Sequence, residues 1–316
     1  MPDFTTHFLF GQRVLGELPE QVQHIIRLNR ESFNFGCQGP DLLFFRSVVR
    51  GKSELPAVGG RLHREKNTQL LYEMDRYIAA RKGRREFYLL QAYFYGFLCH
   101  FFADKTCHPY IYYHEARLGQ GRPMEEWGII HCKIEADIDT LLYPYYMNLD
   151  ISEFEIRDYY SASEVMKRSI TAMLAEVLET VYAKAVSQKE LYRCFGEMVR
   201  VSSLFYGGTG VLKSIAGAAE ALTRSPKGKF TCHFKGERPG WPVLNLQRGS
   251  WHSLWQPKVE RSDSVPQLLE QAQQEAVPAI TRYAQALAVG KPLWVEYTEC
   301  FGQGEPPQES MDQSPT

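Results

Sequence analysis

The chain has 316 residues, of which 44% are hydrophobic and 23% are charged, and its formal net charge at pH 7 is −1. These values are typical of a soluble globular protein, and bulk charge gives no support to a nucleic-acid partner. No run of about 18 apolar residues occurs, so no membrane-spanning helix is expected. The first residues show no basic stretch followed by an apolar core, so a secretory signal is not expected and a cytoplasmic location is predicted. The seven scattered cysteines are then predicted to be mostly free thiols.

Helical periodicity dominates the chain, and no series of strands is apparent. The first amphipathic helix is predicted over residues 6–29, and a turn rich in Gly and Pro follows at 33–41. After a loop at 51–60, a helix should begin at His63 and run to about residue 80. The next helix begins near residue 84 and is apolar on most sides, which is typical of a central buried helix.

Residues 110–128 are predicted to form a loop rich in aromatic residues, and a helix should start at Glu125 or Glu126. Two capping-box patterns then predict two more helices, which end near residues 184 and 222. Residues 224–262 are rich in Pro, Gly and Trp and are predicted to form a long irregular loop. A last helix is expected over 264–289. The chain is therefore predicted to be an all-α protein with one domain over 1–301 and a disordered tail over 302–316.

Two short segments carry the clearest chemical pattern. His100 is followed four residues later by Asp104, and His131 is followed four residues later by Glu135. Positions i and i+4 share one face of a helix, so each pair can converge on one point. A carboxylate on a buried helix needs a compensating cation, and imidazole and carboxylate are both ligands of zinc. The two pairs therefore predict a metal site.

The sequence evidence for a metal-binding role differs among the remaining histidines. His108 continues the stripe of His100, although Pro109 biases it away from helical geometry. His7 and His63 are weak candidates when taken alone, and Asp137 and Asp139 are predicted to support the site or to be solvated. Structural roles are predicted for His24, His233 and His252; His233 has a glutamate four residues on, but the intervening glycine and a following proline argue against a helix.

Several known kinds of metal site are absent from the sequence. A di-iron bundle needs Glu-x-x-His spacing, a zinc metalloprotease needs His-Glu-x-x-His, and one class of phosphohydrolase needs an adjacent His-Asp. None of these patterns fits the candidate residues. A histidine-rich arrangement with several zinc ions remains.

The order and rough spacing of these residues over about the first 140 positions resemble the zinc-dependent phospholipase C family, which shares its all-helical fold with zinc-dependent single-strand nucleases. The resemblance rests on Thr6-His7, Gly39-Pro40-Asp41, His63, His100-x-x-x-Asp104, His108 and His131-x-x-x-Glu135. It implies three zinc ions: one held by Asp41, His63, His100 and Asp104, a second held by His108, His131 and Glu135, and a third held in part by His7, with Asp104 bridging two ions.

This sequence departs from the family pattern in two places. It begins Met1-Pro2, whereas secreted members complete the third site with the backbone of an N-terminal tryptophan. The third site is therefore either incomplete or completed by the amino terminus after removal of Met1, and two to three Zn²⁺ ions are expected. The step from Asp104 to His108 is also shorter than in the secreted enzymes, so His114 is an alternative ligand to His108.

The resemblance implies phosphodiester hydrolysis, in which zinc-bound hydroxide attacks phosphorus. Asp41 and Asp104 are the candidate catalytic residues, and Asp41 is either a ligand or a general base. A nuclease of the same fold and a metal-binding protein without catalysis, or one acting on a phosphoester that is not a lipid, are the alternatives. Nucleic acid is the less expected substrate, because a nuclease would need a basic groove with stacking aromatics.

Two aromatic segments are candidates for contact with a phospholipid or another phosphodiester substrate. Tyr110, Tyr112 and Tyr113 adjoin the predicted site, where they would contact substrate or simply pack in the protein. Trp and Lys side chains of the irregular loop are predicted to make transient contact with a membrane surface, because Trp favours interfaces and Lys favours anionic lipid. These residues are Lys227, Lys229, Lys235, Trp241 and Trp251.

Overall fold

The computed structural model of the protein describes residues 3–46, 53–206, 210–223 and 225–297. The predicted tail at 302–316 lies outside the described residues. Most of the described residues lie in α-helices, which confirms the all-α fold class. The helices are α1 (Phe4–Glu17), α2 (Glu20–Leu28), α3 (Arg30–Cys37), α4 (Leu55–Arg64), α5 (Asn67–Ala79), α6 (Phe87–Gly119), α7 (Met124–Met147), α8 (Ile156–Tyr159), α9 (Glu164–Tyr182), α10 (Gln188–Ser202), α11 (Gly210–Leu222) and α12 (Val265–Ala288).

Short elements connect these helices. Three 3₁₀ helices cover Gly39–Leu43, Ile151–Glu153 and Thr231–His233. Two strands, β1 (Trp251–His252) and β2 (Glu260–Arg261), form an antiparallel ribbon in which Trp251 lies opposite Arg261. The rest of 225–264 is irregular, as predicted, because proline and glycine interrupt any regular pattern there.

The first predicted helix is in fact two helices. Pro19 has no backbone N–H and favours the start of a helix, so α1 ends before it and α2 begins after it. The side chain of Asp3 accepts a hydrogen bond from the Phe4 N–H and caps α1.

The central helix of the protein is α6, which is 33 residues long and packs against α3, α7 and α12. Most of its side chains are buried, as the apolar pattern predicted. The predicted loop at 110–128 is wrong over its first ten residues, because α6 continues through Pro109 to Gly119. A proline removes one helical hydrogen bond, and dense packing on every side outweighs that loss here. Consequently His108, His114 and Glu115 all lie on this helix.

A close crossing of α3 and α6 positions the segment that follows α3. A Cβ atom on Gly36 would lie 2.1 Å from the backbone oxygen of Tyr93, and one on Gly96 would lie 2.2 Å from the backbone oxygen of Phe33. Only glycine permits this backbone approach. The crossing places the end of α3 and the 3₁₀ helix Gly39–Leu43 directly over the middle of α6.

Two other helix boundaries differ from the prediction. His63 lies in the last turn of α4, so it ends a helix and does not begin one. The helix predicted to run to residue 222 is interrupted after Ser202 and divides into α10 and α11. Among the described residues, no helix has both the length and the apolar character that crossing a bilayer requires.

Candidate metal centre

The carboxylate of Asp104 lies at the centre of a cluster of histidines in the middle of α6. Its Oδ1 atom is 3.2 Å from Nε2 of His7, and its Oδ2 atom is 3.2 Å from Nε2 of His100. The same Oδ2 atom lies 3.8 Å from Nε2 of His63 and 3.9 Å from Nδ1 of His108. Asp104 is fully buried. One carboxylate is therefore within 4 Å of four imidazole rings that come from three helices.

The second cluster combines His108, which lies further along α6, with two residues of α7. Nε2 of His131, on α7, is 2.8 Å from Oε1 of Glu135, one turn later. The His108 ring faces the His131 ring at a centroid distance of 5.6 Å. Donor atoms of His108, His131 and Glu135 all lie within 4.8 Å of one another. Within each of the two histidine–carboxylate pairs identified in the sequence, the two side chains therefore do converge on one face of their helix.

Asp41 reaches the first cluster from the 3₁₀ helix Gly39–Leu43. Its Oδ1 atom lies 3.2 Å from Nε2 of His63. Gly39, which precedes it, has a φ of +50°, and a Cβ atom there would lie 2.5 Å from the His100 ring. Glycine is required on both counts, since it adopts positive φ freely and leaves space for the imidazole. Donor sets of three residues lie within 4.8 Å of one another, namely His7, Asp41 and His100, and His63, His100 and Asp104.

Hydrogen bonds outside the clusters determine which nitrogen of three histidines faces inward. Nδ1 of His63 is 2.7 Å from the Gly59 carbonyl, and Nδ1 of His100 is 3.2 Å from the Cys37 carbonyl. A carbonyl oxygen can only accept, so each Nδ1 carries the proton and each Nε2 presents a lone pair to the cluster. Metal-binding histidines are typically held in this manner.

Nδ1 of His131 is likewise 2.7 Å from Oε2 of Glu115. Glu115 was not a candidate in the sequence, because Pro109 suggested that α6 had already ended before it. If α6 had been predicted to continue past Pro109, Glu115 would have been a candidate, since it lies seven residues after His108 on the same helix face. The Glu115 side chain therefore orients the His131 ring in the second cluster.

The donor atoms fit a bound cation. Nε2 of His63 and Nε2 of His100 lie only 3.4 Å apart, and two lone pairs at that distance repel unless a proton or a metal ion lies between them. Both ring nitrogens of His7, Oδ1 of Asp41 and both carboxylate oxygens of Asp104 are buried without a hydrogen bond from the described residues. Such buried polar atoms are costly unless a ligand or ion satisfies them. Imidazole and carboxylate together match the preference of zinc.

The electrostatics agree with this assignment. Burial alone would raise the pKa of Asp104, but the surrounding histidines, above all His100, hold that pKa well below its usual range. Burial lowers the pKa of His108 and of His131 well below the usual value, so both rings are neutral at neutral pH. An ionised carboxylate at Asp104 and neutral imidazoles at His108 and His131 match the protonation states that metal binding requires.

His114, the alternative to His108, lies away from both clusters. Its ring packs against Tyr110 and Trp241 at centroid distances of 4.4 and 4.9 Å, and burial lowers its pKa to about 4. His108 lies between Asp104 and His131 despite the proline beside it. The helix continues through Pro109, so the stripe of every fourth residue is preserved.

Asp139 is a buried residue that holds the start of α1 in place without joining either cluster. Its carboxylate accepts hydrogen bonds from the backbone N–H groups of Thr5 and Thr6, each at 2.9 Å, and from the Thr6 hydroxyl at 2.6 Å. These bonds fix the first turn of α1, which carries His7. Asp137 forms an ion pair with Lys133 instead and does not contact the clusters.

The residues predicted to contact substrate or membrane divide into two groups. The ring of Tyr112 lies 5.0 Å from that of His131, whereas Tyr110 is buried and donates its hydroxyl to the Val243 carbonyl. In the irregular loop, Trp251 is buried against Tyr110, and Lys235 is buried and paired with Asp3. Neither is accessible to a membrane.

Comparison with known proteins identifies the family of the chain. No curated protein and no solved structure matches the chain. A family model described as zinc dependent phospholipase C matches residues 6–184. That segment covers more than half of the chain and contains all eight candidate ligands, from His7 to Glu135. The resemblance inferred from the sequence is thereby confirmed, and the chain belongs to the zinc-dependent phospholipase C family.

Proposed function

We propose that the protein is a zinc-dependent phosphodiester hydrolase that cleaves phospholipids as a phospholipase C does. Water would attack phosphorus, the bond between phosphorus and the glycerol oxygen would break, and that oxygen would take up a proton. The products are diacylglycerol and a phosphorylated head group. The observation that carries the proposal is the Asp104 carboxylate, which has four imidazoles within 4 Å inside the segment matched by the family model.

We assign ligands to two to three zinc ions. The first set is Asp41, His63, His100 and Asp104, the second set is His108, His131 and Glu135, and His7 contributes to a third site. Bound zinc would polarise the phosphoryl oxygens and lower the pKa of water in the site. Asp104 would serve two ions, because its two oxygens face different histidines.

Asp41 has two roles open to it, and one substitution separates them. Its side chain is 12% exposed, whereas that of Asp104 is fully buried, so Asp41 lies nearer the edge of the cluster. If Asp41 acts as a general base, Asp41→Asn should abolish turnover and leave the zinc content unchanged. If Asp41 is a ligand, zinc content should fall together with activity. We favour the ligand role, since Oδ1 lies 3.2 Å from the inward nitrogen of His63.

We further propose that α11 touches the lipid surface during turnover. Its apolar side chains point outward: Val211 is 62% exposed, Ile215 is 59% exposed and Leu222 is 87% exposed. The exposed Lys227 and Lys229 follow the helix and suit anionic head groups. A helix of 13 residues is too short to span a bilayer but can lie in its interface. Lys227 and Lys229 were already expected from the sequence to contact a membrane, whereas the apolar side chains of α11 take the place of the buried Trp251 and Lys235.

The decisive test is hydrolysis by protein loaded with zinc. Phosphatidylcholine vesicles, an aryl phosphodiester and single-stranded DNA would be offered in parallel, with diacylglycerol, aryl alcohol and nucleotides as the products measured. We expect turnover of the lipid. Asp104→Asn should abolish it and lower the zinc content, while the exposed Asp158→Asn serves as a matched control. Turnover of DNA alone would replace the proposal by a nuclease, and no turnover of any substrate would refute it.

Membrane contact is tested separately by sedimentation with vesicles of phosphatidylcholine and phosphatidylglycerol. Ile215→Glu should reduce the bound fraction, because it places a charge on the outward face of α11. Val165→Glu, an equally drastic change at an exposed position of α9, should not. Equal binding of both variants would refute the role of α11 without affecting the hydrolase proposal.

A further inference from the structure

A group of metal-binding side chains lies outside the phosphodiesterase centre. Cys132 lies on α7, and Cys232 and His233 lie on the 3₁₀ helix Thr231–His233. One ligand atom from each of the three lies within 4.8 Å of the other two. Cys132 directly follows His131 in the chain, but neighbouring residues of a helix point in different directions. The sequence alone indicated a structural histidine and free thiols here, because about 100 residues separate the two segments.

The donor set is specific for a thiophilic metal. In a tetrahedral site with zinc–sulfur bonds of about 2.3 Å, neighbouring donors lie about 3.8 Å apart, which the spacing here accommodates. Cys37 and Cys99 also lie together in the core, but among the described residues neither belongs to a group of three side chains that could hold a metal ion. Thiolate and imidazole together favour Zn²⁺ over Mg²⁺ or Ca²⁺, which prefer oxygen.

The segment that carries two of the donors is held in place without a metal. The Glu220 carboxylate accepts backbone hydrogen bonds from Gly228, Phe230 and Thr231 at 2.9, 2.6 and 2.8 Å. The Phe205 ring stacks on the ring of His233 at 5.1 Å. A site whose ligands are oriented in advance loses less entropy when it binds a metal.

The charges around the site are also balanced. Lys235, two residues after His233, is paired with Asp3, so its charge does not oppose a metal ion. Binding of Zn²⁺ by two thiols releases two protons to solvent and forms two zinc–sulfur bonds, which leaves the site neutral. No oxidant or other reagent is required.

We propose that Cys132, Cys232 and His233 form a second kind of zinc site, which fastens residues 225–236 to α7 beside the phosphodiesterase centre. The described residues supply three donors to this site, and water would take the fourth position. The same segment already contacts α7 through a hydrogen bond from the Gly236 N–H to the Thr140 hydroxyl, at 3.2 Å. A zinc ion bound by these residues would stabilise this contact, so the role of the site is structural.

Substitution of Co²⁺ for zinc tests the proposal in the intact protein. The ligands proposed for the phosphodiesterase centre are nitrogen and oxygen only, so a thiolate-to-cobalt charge-transfer band would report this site alone. We expect the band in the wild-type protein, its loss in Cys132→Ser and in Cys232→Ser, and its retention in the control Cys194→Ser. Glu135→Gln should also retain it, which separates this site from the hydrolase proposal.

A second measurement keeps the test decisive if a serine variant fails to fold. Alkylation of the wild-type protein under native conditions, mapped by mass spectrometry, should show that Zn²⁺ slows modification of Cys132 at least tenfold. Absence of both the band and the protection would overturn the proposal. Formation of a Cys132–Cys232 disulfide in air, with no band after reduction, would also overturn it.

Discussion

Replacement of Glu115 tests how the second cluster is built. Oε2 of Glu115 accepts a hydrogen bond from Nδ1 of His131 at 2.7 Å, and the two side chains are 10% and 15% exposed. In the first cluster, by contrast, the partners of His63 and His100 are backbone carbonyls, which a substitution cannot remove. Glu115→Ala should therefore free the His131 ring. Loss of such an outer contact costs about 10- to 100-fold in metal affinity, or roughly 1.4 to 2.8 kcal/mol.

The assay is a zinc titration against a chelating dye of known affinity, with each variant compared at one pH. Glu115→Gln keeps an acceptor oxygen and should lose less affinity than Glu115→Ala. Glu125→Ala removes an exposed carboxylate from the first turn of α7 and serves as the control. If Glu115→Ala and Glu125→Ala bind zinc equally well, then the contact with His131 does not orient a ligand.

Tyr112→Ala should slow lipid hydrolysis without loss of zinc, because the Tyr112 ring lies beside His131. Tyr113→Ala is the control and should leave the rate of hydrolysis unchanged, because the Tyr113 ring packs on the irregular loop. Gly39→Ala should lower zinc affinity, since its Cβ would meet a cluster imidazole at 2.5 Å; Gly121→Ala, with positive φ but open space, is the control for a titration. Burial raises the pKa of Asp75 from 3.8 to about 7, so the folded protein binds more protons than the unfolded chain between those values. The free energy of unfolding should fall as pH rises through that window, by up to about 4 kcal/mol, and urea denaturation of Asp75→Asn should show this slope removed.

Much of the candidate site was predictable because its geometry depends on helical periodicity. His100, Asp104 and His108 recur every fourth residue, and His131 and Glu135 repeat the spacing on α7, so local sequence alone brings these side chains onto shared faces. The apolar surroundings of Asp104 also indicated a need for a cation. The fold class followed from the same periodicity, since packing of amphipathic helices is its simplest consequence.

The remaining features depend on contacts between distant parts of the chain. Pro109 suggested a helix end, but burial of α6 on all sides outweighs the loss of one hydrogen bond, and Glu115 was missed for that reason. The pairing of Asp139 with the start of α1 spans more than 130 residues, and the approach of Cys132 to Cys232 spans 100. No local pattern encodes such contacts, because they arise only when the helices pack.

The position of Asp104 on α6 also explains why the two clusters would work together. Residues four apart on a helix are about 6 Å apart along its axis, so the carboxylate midway between His100 and His108 can reach both. The distances from its Oδ2 atom, 3.2 Å to Nε2 of His100 and 3.9 Å to Nδ1 of His108, agree with this. A rigid buried helix therefore sets the separation of any ions held on either side of Asp104. Two metals at a short fixed separation can stabilise both the attacking and the leaving oxygen of a phosphodiester, which flexible ligands on loops would do less well.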